Sequence, residues 1–279
     1  MLWYNTLNVA PMHRKPSSDT HSSSHSQSLR NRWQAVQSLS RWDLFYWSAL
    51  FLLLGSFLFQ AILLSSLIRQ GVTPDENYHL SLIFLQKHHP GLLLENTAST
   101  LFLGNIERIP FLYHLVLGKV LWLNPFPVSE YIFLKAVNVL LSFGTVLVAL
   151  LCFRLATANR FVHLLGLGML SHLLGYSFLA GAVHPLTLLH FLTALQVFFL
   201  LRYLQRRDGT RLSWLLVSSL LAPLVSIVAF AVNTVVVFVL WLAAREEIKQ
   251  TLRSITLRSR SFLVALVCLA GLSANGLLY

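Results

Sequence analysis

From residue 43 onward the chain alternates long apolar runs with short polar breaks that carry arginine. The first run, 43–68, starts at Asp43 and predicts a helix of membrane-crossing length, because about 20 apolar residues span the ~30 Å of hydrocarbon. Further runs at 131–153, 161–181 and 185–204 predict three more spans. The run 213–243 would measure roughly 46 Å as one helix at ~1.5 Å per residue, too long for one comfortable crossing. Pro223 lies near its middle, so two short helices meeting there are expected. A last run covers 261–278. The pattern is that of an all-α, polytopic membrane protein of about seven transmembrane helices, with backbone polar groups satisfied inside each helix.

One apolar stretch resists this reading. Residues 110–126 are bounded by prolines, contain Tyr113 and Trp122, and are interrupted by Lys119. This composition suits a helix lying in the interface within a long loop, 69–130. With that choice, all the lysines and arginines except Arg69, Lys87, Arg108, Lys119 and Lys135 fall on one side. The positive-inside rule makes that side cytoplasmic, together with the N-terminus. If 110–126 crossed instead, the arginine-rich loops at 202–211 and 245–260 would face outward. Residues 1–42 are polar and serine-rich, and are expected to be a disordered cytoplasmic tail.

Composition agrees with this class. The 279 residues are 56% hydrophobic and 11% charged, with a net charge of +11. The basic residues flank apolar runs rather than forming a patch interleaved with aromatics, which argues against nucleic acid as a partner. Cys152 and Cys268 lie in apolar runs and read as buried hydrophobes. The interior of the spans has no acidic residue, which argues against a transporter with an intramembrane cation relay.

Half of the ten acids, Asp75, Glu76, Glu95, Glu107 and Glu130, lie in the loop 69–130. Asp75 and Glu76 belong to Pro74-Asp75-Glu76-Asn77-Tyr78-His79, just past the first span. Thr73-Pro74-Asp75-Glu76 is also a helix start: Thr73 as N-cap, Pro74 at N1 and Glu76 at N3 make a capping box. This accounts for Glu76 better than for Asp75. His79 follows Asp75 by four residues on the same helical face, close enough to share a hydrogen bond. Asp75, Glu76 and His79 offer three ligands without a clear fourth, weak support for a divalent metal. Glu107-Arg108 reads as a solvated ion pair or as a cation placed for a phosphate, which guanidinium geometry suits. His184-Pro185 starts the fourth span at a depth close to that of Asp75. His163 and His172 are expected to hydrogen-bond neighbouring helices, and His190 shares their apolar setting.

The order of these features resembles the GT-C superfamily of integral-membrane glycosyltransferases, nearest to the branch of the lipid A aminoarabinose transferases and protein O-mannosyltransferases. PDENYH is similar to the family's PDE-x-x-Y motif, and ERIPFLYHLVLGKVLWL to its E-K-P-P-L-Y-Y-W juxtamembrane segment. His184-Pro185 and the doubled segment 213–243 follow in the family's order. The resemblance covers 43–279 in layout and implies sugar transfer from a polyprenyl-phosphate donor to an acceptor on the outer side of a bacterial inner membrane, with no cofactor. It implies a catalytic Asp75, with Glu76, His79, Glu107, Arg108 and His184 in substrate binding and Arg108 at the donor phosphate. Two departures stand out. The family carries an acid where His184 stands, and it continues beyond residue 279. The chain is therefore also expected to be an N-terminal module completed by a partner subunit, or an inactive relative acting as a scaffold.

Overall fold

The computed structural model describes residues 41–254 apart from 74, 90, 93–105, 107–108 and 125–128, and the described residues form helices joined by turns, with no strand. Three helices are long and apolar enough to cross a membrane: α1 (Arg41–Leu67), α4 (Glu130–Ala156) and α7 (Leu186–Gln205). Each matches an expected span to within a few residues. By its packing the chain separates into residues 1–47 and 48–279. Of the first unit the structure describes the opening turns of α1, where Trp42 and Phe45 meet edge-on. The expected tail otherwise lies outside the described residues, as does the run 261–278.

Among the described residues the other expected spans are shorter helices. The expected span 161–181 is two helices, α5 (Arg160–Ser171) and α6 (Leu174–Ala180). The break between them follows from side chains that compete for backbone groups. Ser171 Oγ and His172 Nδ1 both lie against the Gly168 carbonyl, and Ser177 Oγ donates to the Ser171 carbonyl at 3.2 Å. His172 Nε2 is 3.2 Å from Ser56 Oγ on α1, and Ser177 Oγ donates to Gln60 Oε1 at 3.5 Å. The break is thus tied by hydrogen bonds to α1, although His172 and Leu173 at its centre are exposed.

The run 213–243 does part at Pro223, which sits in a single 3₁₀ turn, Ala222–Leu224. Its two helices differ from expectation in length. α8 (Gly209–Leu221) starts earlier, where Asp208 caps it by accepting from Arg211 N. α9 (Ala229–Ser254) continues past the apolar run into polar sequence. A buried amide clasp ties α7, α8 and α9: Gln196 Nε2 donates to the Ser218 carbonyl at 3.1 Å and to Asn233 Oδ1 at 3.0 Å, while Asn233 Nδ2 donates to the Ser219 carbonyl at 2.7 Å.

The loop 69–130 contributes two helices, α2 (Glu76–His88) and α3 (Leu112–Val120), the latter extended by the 3₁₀ turn Leu121–Leu123. This apolar unit is too short to cross hydrocarbon. α2 and α3 lie so close that a Cβ on Gly118 would stand 2.9 Å from the Ile83 carbonyl oxygen. Lys119 reinforces the pair by donating to the carbonyls of Gln86 and His89, the last turn of α2. Together α2 and α3 bury Leu80, Ile83, Tyr113 and Leu117 against Leu134 of α4 and Leu189 of α7. The opposite pattern holds along α1, where Phe51, Leu52, Phe59 and Ile62 are exposed. That is a surface suited to lipid tails.

Candidate functional site

At one end of the bundle four chain segments converge on the carboxylate of Glu76. After α1 the chain turns through Gly71, whose φ of 81° is open to glycine and where a Cβ would collide with Asn77. Gly71 N then donates to Glu76 Oε2 at 3.0 Å. Glu76 Oε1 accepts from Val183 N at 3.0 Å and from the Tyr131 hydroxyl of α4 at 3.2 Å. The side chain is fully buried. Burying a carboxylate is tolerable only when donors replace its water, and here three do so.

Lys135, one turn beyond Tyr131, is buried over the Tyr131 ring, 4.5 Å from its centroid. Its Nζ donates to the carbonyls of Ser65 and Ile68. A lysine from α4 therefore caps the end of α1, where unpaired carbonyls and the negative end of the helix dipole favour a cation. The segment before α7 also presses on α1: a Cβ on Gly181 would lie 2.9 Å from Ser65 N.

This arrangement overturns the expected capping box. The helix starts at Glu76, with Asp75 as N-cap. The Thr73 hydroxyl is buried without a hydrogen-bond partner, and its carbonyl instead accepts from Glu76 N at 3.2 Å. Glu76 is spoken for by distant backbone. Asp75 takes up the cost, since among the described residues it is the only non-glycine with positive φ (59°). Aspartate tolerates that region better than most residues, at a cost on the order of 1 kcal/mol, and such strain collects at functional sites. Its side chain makes no cap hydrogen bond and is exposed.

Beneath Asp75 lie three histidines from three elements. The expected hydrogen bond from Asp75 to His79 is replaced by one to α3: His79 Nδ1 is 3.1 Å from His114 Nε2, with the rings stacked at 5.3 Å. His184 meets His79 edge-on with centroids 5.1 Å apart. His184 Nδ1 accepts from Leu186 N at 3.2 Å, serving the exposed donors at the start of α7. Burial is the first cause that pushes His79 down to about 4; His184 adds to it and Asp75 opposes it. His114 is lowered to about 3 by burial, then by His79, against the Pro110 carbonyl, with His184 adding to the lowering. His184 is lowered by burial, against Asp75.

Of the other candidates, Glu107 and Arg108 lie outside the described residues. His172 meets Ser56 of α1, a neighbouring helix as expected, whereas His163 Nε2 lies 2.9 Å from the Thr157 carbonyl in the turn before its own helix. Cys152 is buried, with Sγ against the Ala194 carbonyl. Asp75, Glu76 and His79 do not converge as ligands, because Glu76 points inward; among the described residues no group of three or more His, Cys, Asp or Glu is placed to hold a metal.

Sequence reasoning passed over His114, Tyr131 and Lys135. Lys135 was detectable as an ionisable residue inside an expected span. His114 had a local signal, four residues after Pro110 in the juxtamembrane segment. The chain matches no protein-family model, no curated protein and no solved structure.

Two outcomes follow from the geometry. Replacing Glu76 by Gln sets an amide N–H against Gly71 N–H or Val183 N–H, and should lower stability by about 1–3 kcal/mol, read as a lower melting midpoint in detergent; an unchanged midpoint contradicts the described burial. The lowered histidines fix a second sign. Between their folded values and the ordinary ~6.5, the unfolded chain binds protons that the folded chain refuses, so their stabilising contribution is present above ~6.5 and lost as pH falls toward 4. The midpoint should drop from pH 7 to 5, and drop less in His79→Gln/His114→Gln; equal slopes contradict the assignment.

Proposed function

We propose that this chain is a membrane glycosyltransferase of the GT-C type, or the N-terminal module of one, which moves a sugar from a polyprenyl-phosphate donor to a hydroxyl or amine acceptor on the non-cytoplasmic side. The observation that carries the reading is Asp75: an exposed carboxylate in a strained left-handed conformation, shortly after a membrane-length helix and beside a histidine cluster in which His114 is buried and His79 and His184 are half-buried. A solvated residue whose backbone is held in place from below is a group positioned for a ligand. In this reading Asp75 orients the acceptor or draws off its proton. The resemblance assigns Arg108 to the donor phosphate. α2 and α3 form the interfacial layer on which donor and acceptor meet. The shorter helices α5–α6, α8 and α9, with the run 261–278, complete a seven-span domain in a bacterial inner membrane, N-terminus inside.

One observation favours a second reading, an inactive relative acting as a scaffold or partner subunit. The family places an acid where His184 stands, and His184 Nδ1 is already engaged with the start of α7. Transfer of radiolabelled sugar from a polyprenyl-phosphate donor in membranes containing the protein separates the two. Asp75→Asn should reduce transfer by at least ~100-fold while leaving insertion and melting unchanged. Full activity in Asp75→Asn removes the mechanism, and absence of transfer by the unsubstituted protein favours the scaffold.

A further inference from the structure

The end of the bundle away from Glu76 carries a different charge pattern. α4 begins at Glu130 and ends at Ala156, so its 27 residues set the two ends about 40 Å apart. At the far end stand Arg154 of α4, Arg160 at the start of α5, Arg202 in the last turn of α7, and Arg206, Arg207 and Arg211 around the turn into α8. Hydrogen bonds draw these segments together. Gln205 Nε2 donates to the Leu155 carbonyl at 3.0 Å, and Arg207 Nη2 to the Ala243 carbonyl of α9 at 3.2 Å. Among the described side chains of residues 48–254, Asp208 is the acid of this end. It is already engaged, capping α8 through Arg211 N and pairing with Arg211 Nη1, each at 2.8 Å. α9 runs on past Ala243 with Arg245, Lys249 and Arg253 against Glu246 and Glu247, a sequence that does not reverse the sign.

From this pattern we infer that the arginine end binds anionic phospholipid, with a headgroup phosphodiester held by the guanidinium forks of Arg202 and Arg206. The inference stands apart from the sugar-transfer reading and concerns the opposite end of the helices. Arg202 and Arg206 are both exposed and one helical turn apart, on the same side of α7, where Arg206 N closes the turn on the Arg202 carbonyl at 3.0 Å. Depth fits the ligand. α7 has 20 residues, about 30 Å, the thickness of the hydrocarbon, so its last turn meets the layer of lipid phosphates. The Arg202 guanidinium lies 5.5 Å from the centroid of the Phe198 ring, one turn earlier. A ring face steadies the plane of the guanidinium and leaves its N–H edges for an acceptor.

Charge sorting across the membrane explains the sign of this end, but lysine serves that purpose as well as arginine. Planar recognition of a phosphodiester does not treat the two alike. A guanidinium presents N–H groups in a fixed fork that matches two phosphate oxygens, where an ammonium offers a point charge. No lysine occurs between residues 154 and 211. The lysines Lys87, Lys119 and Lys135 lie in the loop helices and near the start of α4, each turned to a carboxylate or carbonyls of the protein itself. The lipid that fits the arginine end is one whose phosphate charge is not balanced by an amine in its own headgroup. Phosphatidylglycerol meets that condition and phosphatidylcholine does not.

The test uses the full chain in nanodiscs of phosphatidylcholine with a rising fraction of phosphatidylglycerol, and native mass spectrometry of the lipids that the released protein retains. One arginine beside anionic lipid is worth about fivefold in binding, so two should favour phosphatidylglycerol by roughly 20-fold. Arg202→Gln/Arg206→Gln should bring the two lipids close to parity, with the melting midpoint in phosphatidylcholine alone unchanged. Arg202→Lys/Arg206→Lys keeps both charges and should still lose about fivefold of the preference, because the forks are gone. Arg69→Gln removes a cation from the opposite end and should leave the preference as it is. Equal retention of the two lipids by the unsubstituted protein overturns the proposal and leaves the surface to a soluble acidic partner. Retention of inorganic phosphate without a preference between the lipids assigns the forks to a free anion, and overturns it as well. Full preference in the lysine pair, or an equal loss in Arg69→Gln, reduces the effect to charge sorting and has the same consequence. Should the glutamine pair melt early, the lysine pair decides, since it keeps both charges.

Discussion

The buried carboxylate of Glu76 is the constraint on which the rest of this end of the molecule depends. It draws the turn after α1, the start of α4 and the segment before α7 onto one point, through Gly71 N, the Tyr131 hydroxyl and Val183 N. Two of the three donors are backbone amides, so the carboxylate fixes chain path rather than side-chain placement alone. Removing it would leave the buried Val183 amide unpaired, which costs more than forming the bond gains. Lys135 answers it from the other side by closing the end of α1. Stability and site geometry are in this sense one feature: the strain at Asp75 exists because Glu76 is pulled inward directly behind it.

The bundle uses polar groups differently along its length. Near Asp75 they are ionisable, with His79 and His184 half-buried and Glu76, His114 and Lys135 buried. Deeper, they are amides and hydroxyls that clasp helices, as in Gln196 with Asn233 and Tyr113 with Asn138. The division suits a molecule that gathers its titratable groups at one end, where each buried charge has hydrogen-bond partners, and joins its helices elsewhere with neutral hydrogen bonds. The broken pair α5–α6 belongs to the second kind, since its free backbone groups are met by Ser171, His172 and Ser177 without an ion.

Much of the fold was legible because hydrophobic run length maps directly onto helix length. α1, α4 and α7 fall where the apolar runs put them, and Pro223 parts the last pair as its ring geometry requires. The α5–α6 break was not legible, since it rests on side chains competing for the Gly168 and Ser171 carbonyls, which periodicity does not record. The site divides in the same way. Asp75, His79 and His184 stood out by residue type and position, and the structure brings the two histidines into contact. Glu76 was read as a capping-box residue because its sequence neighbours permit one. Its true partner, Val183, lies 107 positions away, beyond any local rule. His114 was hidden inside a segment that reads as merely aromatic and apolar, and only the close packing at Gly118 brings it to His79.

Whether the carboxylate at position 75 opens to the non-cytoplasmic surface is what joins this geometry to a function at the lipid boundary. The direct measurement is side-specific labelling of Asp75→Cys, in a background lacking Cys152 and Cys268, with a membrane-impermeant maleimide. Labelling in intact spheroplasts, and protection in sealed inside-out vesicles, is the expected result. Labelling confined to the inside-out vesicles would contradict it and would put the site on the wrong face of the membrane for a lipid-linked sugar presented outside.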